Sequence, residues 1–360
     1  AGIKFSNVKS ENSFRLLDTT GGKENTDINA SNDFHYKESI LSTYLMYDWN
    51  IADKWIFNVG GRMEYTHSNG HLYPLSGSNH TENQVSKDYV DFFPSASITY
   101  QINKNNTLSL SYGKRIDRPI YADLNPIDQP LDGLSSWKGN PFLEPQKTHR
   151  IGLQYQHKRT SIGISYSQTS DYFVSVTDTL GVNKTVVMPL NLGTQKYYGM
   201  SLSQTLQPFQ AMSIHFSGRV YYLDNQLAFS KTRLYHRNRW AYGLMMQTSF
   251  PLFWGIHSEI LGIYSSKRLG GATDVLGANY QVNIGFQKKF LNERAIVKLS
   301  MSDIFWTSNW DSVNKFDGFE SFNYGHGESR LVRLNITFRF GGNKNNYSKE
   351  SKIESEMNRF

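Results

Sequence analysis

Tyr280-Gln281-Val282-Asn283-Ile284-Gly285-Phe286-Gln287-Lys288-Lys289-Phe290 is the stretch that decides the fold class. Tyr280, Val282, Ile284, Phe286 and Phe290 fall on one side of an extended chain. Gln281, Asn283, Gly285, Gln287 and Lys289 fall on the other, the period of two of a strand with one apolar and one polar face. Lys288 alone breaks the rule, near an end, where a long side chain can snorkel. The last strand repeats the pattern: Val332, Leu334, Ile336, Phe338 and Phe340 alternate with Arg333, Asn335, Thr337 and Arg339. So do Ile151, Leu153 and Tyr155; Ile162, Ile164 and Tyr166; Met200, Leu202 and Leu206; and Met212, Ile214 and Phe216. Near the start, Trp55, Phe57, Val59, Met63 and Tyr65 oppose Asn58, Gly60, Arg62 and Glu64.

Alternation alone fits a soluble sandwich as well as a membrane wall, so strand length and connections have to separate them. These strands run about ten residues or more, against the five or six usual in globular sheets. Tight links fall at Asn50 to Lys54, Ile102 to Asn106, His157 to Thr160, Gln207 to Gln210, Pro251 to Trp254 and Leu291 to Glu293. Between them lie long polar links: Ser10 to Asp33, Asn69 to Asp88, Arg118 to Gln146, Asp178 to Lys184, Gln226 to Leu234, Lys267 to Asp274 and Asn309 to Gly327. Short turns at one end and long loops at the other are the habit of outer-membrane barrels. Lipid forces this solution, because only a helix or a closed sheet satisfies the backbone there. The reading is an all-β, antiparallel transmembrane β-barrel with about fourteen strands in this chain. The first strand rises outward and both chain ends lie in the periplasm.

Composition agrees. The 360 residues include 22 Tyr, 22 Phe and 7 Trp, and no run approaches the roughly 20 apolar residues of a membrane helix. Aromatics gather at strand ends as interface girdles do: Tyr47 and Trp49, Trp55 and Phe57, Phe250, Phe253 and Trp254, Phe338 and Phe340. The net charge is +7, but the basic residues are interleaved with acids along the chain, which argues against nucleic acid as a partner. Cysteine is absent, so no thiol chemistry is available. The opening Ala1-Gly2-Ile3-Lys4-Phe5-Ser6 carries no export signal, which is expected upstream or already removed. Residues 1–341 read as membrane strands with long extracellular loops, and 342–360 as a charged periplasmic tail.

One region carries a more specific pattern. Phe93-Pro94-Ser95 opens a strand, and Leu108 to Arg115 rises into Arg118-Pro119 and Leu124-Asn125-Pro126. Gly139-Asn140-Pro141-Phe142-Leu143-Glu144-Pro145 then precedes the descending strand. This resembles the middle of a TonB-dependent receptor barrel, and more narrowly the outer-membrane β-barrel family common in Bacteroidetes-type bacteria. Gln146 departs from the acidic residue usual after the motif. The resemblance implies a barrel of about 22 strands filled by an N-terminal plug, of which these strands would be the C-terminal part. It further implies outer-membrane lipid, the plug and remaining strands (in the same or a separate chain), TonB and a surface lipoprotein as partners. The function it implies is uptake of a nutrient ligand. The alternatives are a barrel that scaffolds an envelope complex and a self-closed passive channel.

Candidate ligand or partner contacts lie in the long loop after Arg115: Arg115, Arg118, Tyr121, Asp123, Asn125 and Trp137, with Asp128 and Asp132 nearby. The competing reading is that proline and asparagine simply fold this loop over the barrel. Arg62, Glu64, Arg219, Glu259, Arg333 and Arg339, with Lys289 and Arg294, are expected to face the lumen or a plug. Phe338 and Phe340 close the strand that barrel-assembly machinery would read. His67, His71 and His80 share one segment, but Gly70 and Pro74 argue against a helix that would pair them on a metal. No Gly-x-Ser-x-Gly elbow or phosphate loop occurs. The expectation is a non-enzyme without metal or cofactor.

Overall fold

The computed structural model describes residues 1–20, 22–78, 83–180, 184–229, 234–271, 273–316 and 319–340; the tail expected at 342–360, and His80, lie outside them. Fourteen strands form one sheet in chain order, each antiparallel to the next. They are β1 (Gly2–Phe14), β2 (Asn32–Ile51), β3 (Trp55–Pro74), β4 (Asn83–Asn103), β5 (Asn106–Asp117), β6 (Gln146–His157) and β7 (Thr160–Leu180). Then follow β8 (Lys184–Phe209), β9 (Met212–Ala228), β10 (Leu234–Pro251), β11 (Ile256–Ser265), β12 (Asn279–Phe290), β13 (Ala295–Met301) and β14 (Val332–Phe338). Among the described residues β1 pairs only with β2 and β14 only with β13, so both outer edges of the sheet are open. No described helix is long and apolar enough to cross a membrane; the strands do the crossing.

The tight links are hairpins. Ala52 and Asp53 both take positive φ, 50° and 54°, with Lys54 N donating to Ile51 O. That is the turn whose twist matches the strands it joins. Asn292 and Glu293 repeat it between β12 and β13, with Arg294 N donating to Leu291 O.

Register places one face of the sheet in lipid. Val90 and Phe92 on β4, Met200 on β8, Trp240 and Met246 on β10 and Leu334 and Ile336 on β14 are all exposed apolar side chains. A second aromatic belt, not evident from sequence, crosses the strands farther from the tight turns than the first. Tyr166 pairs with Tyr198, Tyr198 with Tyr222, and Tyr222 with Trp240; Tyr264 pairs with Tyr280 further round. Their rings lie 5.0, 6.4 and 5.2 Å apart along the first three steps. The inner belt includes Trp49, Trp55, Phe57 and Tyr100, with Trp55 stacked on Tyr100 at 4.2 Å. On β10, ten positions separate Trp240 from Phe250. At about 3.3 Å per residue and a tilt of about 45° they are roughly 23 Å apart across the membrane, near the usual apolar band of about 25 Å.

Several strands outrun their alternation. β3 continues to Pro74 and β4 begins at Asn83, inside the link expected at Asn69 to Asp88. Above the membrane both faces can be polar, so the ladder persists where the pattern fades. The link expected at Asn309 to Gly327 contains a ladder of its own, Asn309–Phe316 against Phe319–His326. Asp274–Leu276 and Arg268–Leu269 extend it to four strands.

Phe93-Pro94-Ser95 sits within β4 and does not open it. The β4–β5 ladder runs only from Ser95↔Gly113 toward the turn, because Pro94 has no N–H to donate. Above that point β5 leaves β4, which frees its continuation to fold inward.

Candidate functional site

The inner face of β2, β3 and β4 is polar yet buried. Glu38, Ser42, Glu64, Thr66, Ser68 and Asp91 are all nearly inaccessible. Buried carboxylates need paired charges and donors, and Glu64 and Asp91 each have cations beside them. Arg62 Nε lies 3.0 Å from Glu64 Oε1, and Ser42 Oγ donates to the same oxygen at 3.3 Å. Lys147 Nζ is 2.8 Å from Asp91, with Lys114 at 3.9 Å. Both Arg62 and Lys114 stand over the Phe93 ring, at 5.0 and 5.6 Å.

Arg118 joins this wall to the loop that follows β5. Its Nη2 donates to Glu64 Oε2 at 2.8 Å and to Thr66 Oγ1 at 3.0 Å, while Nε donates to Tyr89 OH at 3.2 Å. Pro119 then starts a descent into an apolar cluster. Tyr121, Leu124, Ile127 and Leu143 pack with Phe34 and Tyr36 of the wall, the Tyr36 and Tyr121 rings 5.2 Å apart. Lys87 Nζ donates to Leu143 O at 2.6 Å.

The Gly-Asn-Pro-x-Leu-x-Pro motif is explained residue by residue. A Cβ on Gly139 would lie 2.2 Å from Asn125 O, so only glycine lets the two halves of the loop touch. Asn140 Oδ1 accepts from Phe142 N at 3.0 Å, and Asn140 N donates to Asp123 O at 2.6 Å. Leu143 is 1% exposed. Asn191 of β8 clasps Glu144 from both sides, accepting from its N and donating to its O.

The residues singled out from sequence therefore separate into groups. Arg118 joins Arg62 and Glu64 on the wall, Tyr121 packs against Tyr36, and Asn125 is buried inside the loop, where its Oδ1 accepts from Ile127 N. Asp123 is half-buried in the loop, where burial raises its carboxyl above the usual range. Trp137 pairs in parallel with Val187 of β8. Arg115 lies 3.5 Å from Asp117 and remains exposed, and Asp128 and Asp132 stand on the outer rim. The other charges lie on distant walls. Arg219 stands over Tyr221, Glu259 accepts from Gln247 at 2.5 Å, and Arg333 faces Ser300 on the edge strand. Arg339 N donates to Arg294 O just beyond β14, and the Phe338 and Phe340 rings stack at 6.0 Å. His67 engages Asp88 at 2.8 Å and His71 stacks on Tyr73. Among the described residues no three metal-ligating side chains converge.

Sequence reading missed Glu38, Lys87, Asp91, Lys114 and Lys147, since only register shows which strand charges share a face. It also missed Asp303, just past β13. Its carboxylate accepts from Ser329 Oγ at 2.6 Å, Thr307 N at 2.9 Å, Ser308 N at 3.0 Å and Thr307 Oγ1 at 3.2 Å. Burial alone would raise this carboxyl; the donors outweigh it and hold it at about 2. The turn so fixed presents exposed Phe305 and Trp306, the latter 4.4 Å from His326.

Residues 1–339 match the outer membrane protein beta-barrel family. No curated protein matches the chain. Solved structures share its fold. The siderophore receptor PiuA from Acinetobacter baumannii superposes with a TM-score of 0.62 at 13% identity, covering 93% of this chain and 52% of its own. The ferric yersiniabactin uptake receptor FyuA from Yersinia pestis gives 0.62 and 13%, covering 94% and 51%. The copper transporter OprC gives 0.61 and 13%, covering 93% and 53%. The chain thus spans about half the length of these receptors.

Proposed function

The chain belongs to the outer membrane protein beta-barrel family and so to the bacterial outer membrane, and from that premise we propose that it forms the larger part of the wall of a TonB-dependent receptor importing a nutrient ligand. The observation that carries the reading is the open sheet. Among the described residues β1 and β14 each leave one row of backbone donors and acceptors unpaired, and lipid cannot satisfy them. About eight further strands would close the wall around a lumen of receptor size. The polar inner wall supports the same reading, since paired charges facing a lumen suit a plug or an aqueous ligand path and not hydrocarbon. The unpaired edges weigh against a small pore closed by these strands alone.

The test is the intact mass of the detergent-extracted protein together with its conductance in planar bilayers. The reading expects a mature chain, or a stable pair of chains, several hundred residues larger than 41.4 kDa, and no steady conductance while the lumen is filled. A 41.4 kDa species conducting continuously would overturn it in favour of a passive channel.

A further inference from the structure

Above the folded loop lies a cavity of about 590 Å³, open to the outer face, within the roughly 300–1,000 Å³ of small-molecule sites. Four segments build it: the β1–β2 loop, the outer ends of β2 and β3, the β5–β6 loop and the start of β8. It is separate from the Arg118–Glu64 contact, which lies on the inner side of the loop.

Three features define what would fit. Asn32, 9% exposed, lines the cavity, and its Oδ1 is buried with no donor among the described residues. A buried acceptor left without a donor is costly and rare, so this oxygen asks for an N–H or O–H from a ligand. Around the rim, Asp128 and Lys138 are register partners on adjacent loop strands, and Lys184 approaches from β8. None of the three forms an ion pair among the described residues, whereas the other two carboxylates of the lining, Asp27 and Asp132, accept from backbone N–H groups of their own turns. The remaining wall mixes aliphatic Leu72, Ile127 and Leu134 with polar Asn83, Ser135 and Thr185 and carries no aromatic ring; a sugar finds no stacking face there.

We infer that this cavity is a capture site for a short zwitterionic peptide. Its ammonium end meets Asp128, its carboxylate meets Lys184 on β8, and a backbone N–H donates to Asn32 Oδ1. The inference rests on the receptor reading for the outward orientation of the loops, but binding itself requires no transport.

The test is calorimetry on the whole detergent-extracted protein, with tetra-alanine, its N-acetyl and C-amide forms, and maltotetraose as probes. Tetra-alanine should bind saturably. N-acetylation and Asp128→Asn should each weaken it about tenfold, one charge-assisted hydrogen bond's worth, and the variant should no longer distinguish acetylated from free peptide. C-amidation should show the same coupling to Lys184→Gln, whereas Lys138→Gln should leave the preference for a free carboxylate intact. Asp128, Lys138 and Lys184 are exposed, so the variants should fold, which heat-modifiable gel mobility checks. No saturable binding at millimolar peptide, equal affinity for free and capped forms, or tighter binding of maltotetraose would overturn the proposal. Binding without energised uptake in cells would sink the receptor reading alone; energised uptake without peptide binding would sink this one alone.

Discussion

The two longest connections, between β5 and β6 and between β13 and β14, are held in opposite ways. The first turns inward at Arg118 and buries Tyr121, Leu124, Ile127 and Leu143 against Phe34 and Tyr36. The second stays outside and builds its own ladder, Asn309–Phe316 against Phe319–His326, with Trp310, Phe322 and Tyr324 exposed. Its fully buried carboxylate anchor is Asp303. An inward loop gains apolar burial and low-dielectric ion pairing; an outward loop has water on one side and relies on local backbone hydrogen bonds. The first therefore acts as a fixed shelf against the polar wall, while the second is the more exchangeable surface.

Glu64→Leu should break the contrast most. It strands Arg118, whose side chain is 11% exposed, beside an apolar neighbour, a loss of about 4 kcal/mol for a broken buried pair. Hydrogen exchange should then show residues 118–145 opening while 303–330 keep wild-type protection. Unchanged exchange in the shelf would mean that Arg118 is not its anchor. Leu143→Ala removes the apolar anchor and should cost about 3 kcal/mol of the same local protection, read by protease cleavage between Arg118 and Lys138 of detergent-solubilised protein. If both loops are cut at the same rate as before, the shelf is held by something else.

Asp303→Asn tests the outer loop and should have the smallest effect, about 2 kcal/mol, for loss of charge-assisted acceptance. The pH dependence has a definite sign. The carboxyl is held at about 2 in the folded turn, below about 3.9 in an unfolded chain. Its contribution is therefore complete above pH 4 and lost as pH falls toward 2. Exchange of the Thr307 and Ser308 amides should follow that window in the native protein and be flat across it in the variant. A native profile without the window would remove Asp303 as the anchor.

Much of this architecture is legible in the chain. The alternation of Tyr280 to Phe290, the six tight turns and the long links specify fourteen antiparallel strands, and fourteen follow one another along the path of the sheet. Period-two patterning survives because lipid punishes any polar residue on the outer face. The motif from Gly139 to Pro145 was legible as a unit but not as a mechanism: nothing local says that Gly139 is required by the backbone of Asn125, fourteen residues away.

What the sequence determined alone was the kind of wall: which residues face lipid, where the chain turns, and which end carries the loops. Each follows from interactions between near neighbours or between a residue and its solvent. Only the tertiary structure decided that Arg118 belongs to Glu64, that Asp91 takes Lys147, and that Asn32 and Asp128 edge one cavity. Those pairings cross strands and loops far apart in the chain. Register and the departure of β5 at Pro94 set them, and no periodicity in the sequence records either.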